Sequence, residues 1–476
     1  MAALIDPTSV GFLTVESRSQ PMHVGSLQLF ENPDDAGPDF TRQMYAGMRQ
    51  SLHTRPLFLR HPHRSLATGG QFVWRPDEQF DIDHHVRHSA LPAPGDVRDL
   101  LDLCGRLHST RLARERPLWE AHVIEGLGDG RVALYTKIHH ALLDGVSASR
   151  LLQSVLSTDP DRRDMPAPWD EGVAEPDPVP EEAVVVDASS SALRVPFSEV
   201  PIQALRSALA MASEAAGMPA ALLRTLSRAA RNEASAISLQ APRTIFNQQI
   251  TGSRRIGAQA WPVDRLRRVG KAGDATLNDV VLAMCAGAVR RYLLELDALP
   301  SAPLVAMVPV GLRARESQLA SVEGGNAVGA VMCRLGTDLD DPAERLETIH
   351  RSMLAGKQAL ASMTPLQIVA MSALGQIPAI LPPLLRMEGI VHSPYNLIIS
   401  NVPGPRTTHY WNGARLVGSY PLSIPINGMA LNITCTSYAD TMCFGLTGCR
   451  RTVPSLQLLL GHLDAELDAL EVAVGV

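Results

Sequence analysis

Residues 160–190 divide the chain. Pro160, Pro166, Pro168, Pro176, Pro178 and Pro180 alternate there with aspartate and glutamate, and almost nothing is aromatic. Proline removes backbone donors and fixes φ, so neither a helix nor a sheet continues through such a run, and a linker or long crossing loop is expected. The Ala-, Leu- and Arg-rich stretch at 203–240 reads as helical and as a bridge between halves. The predicted layout is therefore 1–165 as a first lobe, 166–240 as linker plus bridge, and 241–476 as a second lobe. At ~100–200 residues per domain, 476 residues fit such a two-lobed unit.

Both halves alternate strand and helix signals, which places the chain in the α/β (α+β) class. In the first, strands are expected at 26–30, 119–125 and 131–140, and helices at 40–52 and 95–113. Gly126, Gly128, Asp129 and Gly130 supply hairpin-turn chemistry between the later two strands. In the second, 276–297 predicts a helix capped by Thr276, with Val280, Val281, Met284, Ala288, Tyr292 and Leu293 as its apolar stripe. Strands are expected at 303–310, 396–400, 430–438 and 441–448. A last helix starts near Pro454, with Leu456, Leu459, Leu460, Leu463, Leu467 and Leu470 on one face.

With 45% hydrophobic and 19% charged residues, the chain can bury a large core. A net charge of −6 argues against a broad nucleic-acid-binding surface. The six cysteines form no CxxC and match no zinc spacing, so buried free thiols in a reducing, cytoplasmic setting are expected. The N-terminus lacks the basic start of a secretory signal. Residues 358–385 carry no formal charge. Pro365, Pro378, Pro382 and Pro383 break that run, so it reads as core or groove-lining helices, or as a lipid-touching surface, rather than a membrane span.

The chemistry concentrates in Lys137-Ile138-His139-His140-Ala141-Leu142-Leu143-Asp144-Gly145. Strand alternation puts Val132, Leu134, Thr136, Ile138 and His140 on one face and Tyr135, Lys137 and His139 on the other, so the two histidines do not chelate one ion. His140 ends the apolar face where the chain turns. An imidazole of ordinary pKa ~6.5 is largely neutral near pH 7 and can act as a general base. Asp144 and Gly145 are expected to form the turn, Asp144 to orient the loop or the ring, and Ser147 to cap a short helix. A second pair, His84-His85, has no Asp-Gly downstream and reads as a solvated or structural strand.

The full HHxxxDG pattern resembles the motif of acyltransferases with the chloramphenicol acetyltransferase-like fold. Further segments resemble the bacterial wax ester synthase/acyl-CoA:diacylglycerol acyltransferase family: Asp6, Phe12, Leu13 and Glu16 followed by Pro21-Met22-His23-Val24-Gly25; Pro117-Leu118-Trp119-Glu120; Asn278-Asp279; Val308 to Arg313 with Gly325-Asn326; Ser400-Asn401-Val402-Pro403-Gly404-Pro405; and Leu431 to Thr434. The resemblance covers essentially the whole chain, in order. It implies two acyltransferase-like lobes with mixed sheets flanked by helices. It implies transfer of a long-chain acyl group from acyl-CoA to diacylglycerol, a fatty alcohol or both, with His140 as base and His139 supporting it.

It also implies a structural Asp144 paired with an arginine, for which Arg313 is the candidate, and a Gly145 that permits the turn. Trp119, Asn278 and Asn401 are candidate substrate contacts, each with a packing or capping alternative. Asn401 is also a candidate oxyanion donor. The arginines of 254–268 and 445–451 are candidate CoA contacts. No metal or cofactor is implied beyond the acyl-CoA substrate, and a peripheral contact with the inner membrane face or lipid droplets is expected. The competing readings are a condensation-type enzyme using a carrier-protein thioester and a non-catalytic lipid-droplet protein.

Overall fold

The computed structural model describes residues 3–50, 53–65, 68–171, 241–311, 328–361 and 393–476. The first half runs β1 (Ala3–Leu4), α1 (Pro7–Val15), β2 (His23–Glu31), α2 (Phe40–Arg49), β3 (Arg60–Ser65), β4 (Gln71–Pro76), α3 (Ile82–His85), β5 (Val86–Gly95), α4 (Val97–Ser109), β6 (Trp119–Leu127), β7 (Val132–His139) and α5 (Gly145–Ser154). The second runs β8 (Arg254–Pro262), α6 (Val263–Ala272), α7 (Leu277–Glu295), β9 (Val305–Gly311), β10 (Val328–Arg334), α8 (Pro342–Ala361), β11 (Leu397–Val402), β12 (Tyr410–Trp411), β13 (Ala414–Leu422), β14 (Leu431–Tyr438), β15 (Thr441–Cys449) and α9 (Leu458–Val474).

Two six-stranded mixed sheets organise these elements, in the orders β12-β13-β2-β7-β6-β5 and β10-β9-β11-β14-β15-β8. In the first, β7 lies between β2 and β6, antiparallel to both, with His139 opposite His23 and Ile138 opposite Trp119. Lying at the middle of the sheet, β7 is buried along its whole length, so both of its faces are core. The hairpin turn before it uses Gly126 and Gly130 at positive φ, as its composition predicts.

One strand pair departs from the expected division. The sequence pattern places all of 241–476 in the second lobe, yet β12 and β13 extend the sheet of the first, β13 pairing antiparallel with β2. Trp411, Leu416 and Leu422 accordingly join the core of the first lobe. Arg254 of β8 ties the lobes together: its backbone N–H donates to Ser109 Oγ (2.8 Å) and its guanidinium to the Ser19 carbonyl (2.9 Å). Most of the expected linker and bridge lies outside the described residues, as do 362–385 of the charge-free run.

The second lobe is built on α7. Thr276 caps it as predicted, accepting from the Asp279 N–H while Asp279 accepts from the Thr276 N–H. The expected stripe proves too narrow, since every residue from Asp279 to Val289 is buried. Helix α7 packs against the sheet at β11 and against α8 and α9. His84-His85 is also reassigned, from strand to the four-residue helix α3. All six cysteines are buried and unpaired. Among the described residues no single helix is long and apolar enough to cross a membrane.

Candidate active site

Strand β7 delivers His139 and His140 to the edge of the first-lobe core, and two backbone bonds fix them there. The His139 N–H donates to the Leu118 carbonyl (3.0 Å) and the His140 N–H to the Met22 carbonyl (2.8 Å). The turn comes at once: the Leu142 N–H returns to the His139 carbonyl at 2.8 Å. It therefore precedes Asp144 and Gly145, which sequence reasoning had placed in the turn itself.

His140 stands in this turn, half-buried, its ring stacked on Phe12 of α1 with centroids 4.1 Å apart and planes 25° apart. Burial pushes its pKa down to about 4; the Asp144 carboxylate and a backbone hydrogen bond oppose that shift without cancelling it. The imidazole is neutral at pH 7. His139 is the more buried of the pair, at 1% exposure. The Ala141 N–H donates to its Nδ1 at 3.0 Å, so Nδ1 is an acceptor and the ring proton sits on Nε2. That nitrogen faces Glu16 Oε1 at 3.5 Å, long for a hydrogen bond.

Asp144 is the N-cap of α5. Its Oδ1 accepts from the Val146 and Ser147 N–H groups, both at 2.9 Å, and its Oδ2 from Ser147 Oγ at 2.7 Å. The sequence reading gave the cap to Ser147, which instead sits at the third helical position. Asp144 leaves the two preceding residues free to reach the turn, and Asp and Ser cap equally well by propensity. The expected partner of Asp144, Arg313, lies outside the described residues, as do Gly325 and Asn326. Gly145 opens α5 with φ outside the left-handed region, and a Cβ there would only touch Val24 Cγ1 at 4.0 Å. It is a helix-start residue, not a turn glycine.

Helix α1 was missed as part of this site. Its residues carried family resemblance only, with no local signal of contact. Asp6 caps it by accepting from the Ser9 N–H (2.9 Å), and Pro7 opens it. Ser9 Oγ then donates to the Ala141 carbonyl (3.0 Å), Phe12 covers His140, and Glu16 follows beneath His139.

Two matches to protein-family models run along the chain. Residues 5–281 fit the wax ester synthase/diacylglycerol acyltransferase catalytic domain, and residues 324–471 the C-terminal domain of the same family. The chain belongs to the wax ester synthase/diacylglycerol acyltransferase family. It is 46% identical, over 99% of its own length and 100% of the relative's, to a Mycobacterium tuberculosis (strain ATCC 25618 / H37Rv) protein named probable diacylglycerol O-acyltransferase tgs2. The solved wax ester synthase/diacylglycerol acyltransferase from Marinobacter aquaeolei VT8 is 41% identical, with a TM-score of 0.78 and both chains fully covered. A condensation domain of the calcium-dependent antibiotic synthetase shares the fold at 15% identity, with a TM-score of 0.56 over 99% of this chain and 96% of that one. This establishes the two-lobed, chloramphenicol acetyltransferase-like architecture.

Several other motifs of this wax ester synthase/diacylglycerol acyltransferase chain are packed within it. Trp119 is 2% exposed, stacks on His85, lies tilted against Trp169, and donates Nε1–H to the Phe58 carbonyl at 3.0 Å. Its ring contacts are to the chain's own residues Phe58, His85 and Trp169. His85 is likewise structural, buried between Phe80 and Trp119. Glu120 holds Lys137 (3.2 Å), whose ammonium also donates to the Leu107 and Thr110 carbonyls at the C-terminal end of α4. Burial alone would raise the Glu120 carboxyl, but His122, Lys137 and Arg87 bring it down to about 2.

In the second lobe, Asn401 of β11 and Asn278 of α7 come within 3.5 Å, Nδ2 to Oδ1. Asp279 also accepts from His350 Nδ1 (2.9 Å), a partner on α8 that the sequence gave no reason to choose. Gly404 lets β11 run on against β14, because a Cβ there would collide with the Ser437 carbonyl. Most of the arginines expected to meet CoA are engaged within the chain. Arg255 bonds Gln457 (3.1 Å), Arg265 pairs with Glu471 and Asp468 (2.6 Å each), Arg267 with Asp264 (3.1 Å), and Arg268 with Glu471 (3.4 Å). In 445–451, Arg451 donates to the Gln249 carbonyl at 2.8 Å. Among the described residues no group of three or more His, Cys, Asp or Glu side chains converges as metal ligands.

Proposed function

We propose that this chain transfers a long-chain acyl group from acyl-CoA to the free hydroxyl of diacylglycerol, forming triacylglycerol, with His140 as general base. The observation that carries the reading is the half-buried imidazole of His140, stacked on Phe12 just past the end of a buried central strand, where burial favours its neutral form. The ring takes the hydroxyl proton as that oxygen attacks the thioester carbonyl. The tetrahedral intermediate then expels the CoA thiolate, which recovers the proton from the imidazolium. Asn401, whose side-chain amide meets Asn278 at 3.5 Å, is the proposed donor to the carbonyl oxygen as charge builds there. The thioester supplies the activation, so the step needs no metal or cofactor.

A fatty alcohol presents the same hydroxyl, and the Marinobacter relative's name joins both products. The carrier-protein reading has only fold likeness behind it. A non-catalytic role is disfavoured by the intact His139, His140 and Asp144. The acceptor is itself a lipid, which favours work at a membrane or droplet surface from the cytoplasmic side, with the charge-free run at 358–385 as the contact.

Incubating the purified protein with labelled palmitoyl-CoA and diacylglycerol, hexadecanol or short alcohols, with products resolved by thin-layer chromatography, tests the proposal. Label is expected in triacylglycerol. Label confined to free fatty acid with every acceptor would reject it.

A further inference from the structure

We propose that Glu16, clamped by Arg114, is a positioning residue that sets the His139 ring and, through the shared turn, aims His140. The proposal rests on the reading of His140 as base. Glu16 follows α1, and its side chain is 1% exposed. One oxygen, Oε2, accepts from Arg114 Nε (3.1 Å) and Nη2 (3.0 Å). Arg114 is itself anchored, Nη2 donating to the Leu13 carbonyl at 2.5 Å. The other oxygen, Oε1, faces His139 Nε2 at 3.5 Å and accepts from the Met22 N–H at 3.4 Å. Met22 in turn accepts the His140 N–H. One buried carboxylate therefore touches the ring of one motif histidine and the backbone that holds the other.

The chemistry of the pair explains the placement. A neutral imidazole has two tautomers, and only the one protonated at Nε2 leaves Nδ1 to accept from Ala141. An acceptor-only carboxylate opposite Nε2 selects that tautomer, much as outer partners orient the histidines of metal sites and triads. Burial alone would raise the Glu16 carboxyl; His139 and Arg114 outweigh it and hold the group below its ordinary value, so it stays an anion at pH 7. A buried ion pair returns little net stability over apolar packing, which leaves positioning as its use here. Without it the turn at 140–142 loses a support, and displacement of a catalytic group by ~1 Å costs about a hundredfold in rate.

The test is a double-mutant cycle in the full chain, read as triacylglycerol synthesis from labelled palmitoyl-CoA and diacylglycerol. Glu16→Gln is near-isosteric. His139→Asn keeps an acceptor for the Ala141 N–H but removes the ring from Glu16. Glu16→Gln is expected to lower kcat by about ten- to a hundredfold with the KM for acyl-CoA within about twofold, and to do far less in the His139→Asn background. An equal kcat loss in both backgrounds would overturn the coupling. Glu16→Gln combined with Arg114→Met leaves no unpaired buried charge and guards against misfolding. Wild-type kcat in that variant would also overturn the proposal. His140→Ala, assayed alongside, separates the two readings. A full rate there refutes His140 as base. An inactive His140→Ala beside a fully active Glu16→Gln refutes only the positioning role.

Discussion

Replacing His140 with alanine should lower kcat for triacylglycerol synthesis by about 10²–10⁴-fold, the usual contribution of a positioned general base. The fold should survive. His140 lies just past β7, is only half-buried, and its ring contact is the stack on Phe12, worth roughly 0.5–1.5 kcal/mol beyond its buried area. Loss of rate without loss of circular dichroism or of the melting transition is therefore the expected pattern. The second histidine pair provides the contrast. His85 is 1% exposed between Phe80 and Trp119, so His85→Ala should lower stability and leave the chemistry of the folded fraction intact. The two pairs look alike as letters and differ in whether the ring serves a turn or a core.

The largest effect on stability is expected in the second lobe, at Glu466 of α9. This carboxylate is fully buried, takes a direct ion pair from Arg345, and lies 3.4 Å from Arg291. It fits against α7 because residue 287 is glycine; a Cβ there would collide with the carboxylate. Arg345 is 3% exposed and cannot turn to water when its partner goes. Breaking a buried pair from one side costs about 3–5 kcal/mol, so Glu466→Ala should lower the melting temperature by roughly 6–20 °C for a unit of 150–250 residues. The exposed Arg415–Glu31 pair, 2.5 Å apart, should cost under about 1 kcal/mol when cut, because water replaces the partner. Chemical denaturation of the two variants compares buried with exposed charge directly.

Much of this was legible in the sequence because it is local. Alternating apolar residues locate β7 and the pairing partners around it, and Thr276 with Asp279 locates the start of α7 to the residue. The motif order carried the family and, through it, the two-lobed architecture. What could not be read is non-local. Strand β13 joins β2 across nearly the whole chain, with an irregular register between Leu416 and Gly418, and no pattern within it names that partner. Arg114 reaches Glu16 from 98 residues away. The choice between Asp144 and Ser147 as cap depended on the turn falling at 140–142, a matter of backbone geometry that residue preference leaves open. The arginines of 254–268 looked available because their acidic partners on α9 lie some two hundred residues further on.

The central claim, that a neutral His140 abstracts the acceptor proton, is tested most directly by the pH dependence of kcat/KM for palmitoyl-CoA with diacylglycerol. The catalytic form of a base is its unprotonated form, so rate falls as pH drops through the pKa of the free enzyme. Burial brings that pKa to about 4. The predicted profile is flat, within about twofold, from about pH 5.5 to 8, with the loss beginning only below that range. A rate that already falls about tenfold per unit below pH 6.5 would show an ordinary, solvated histidine and contradict the account.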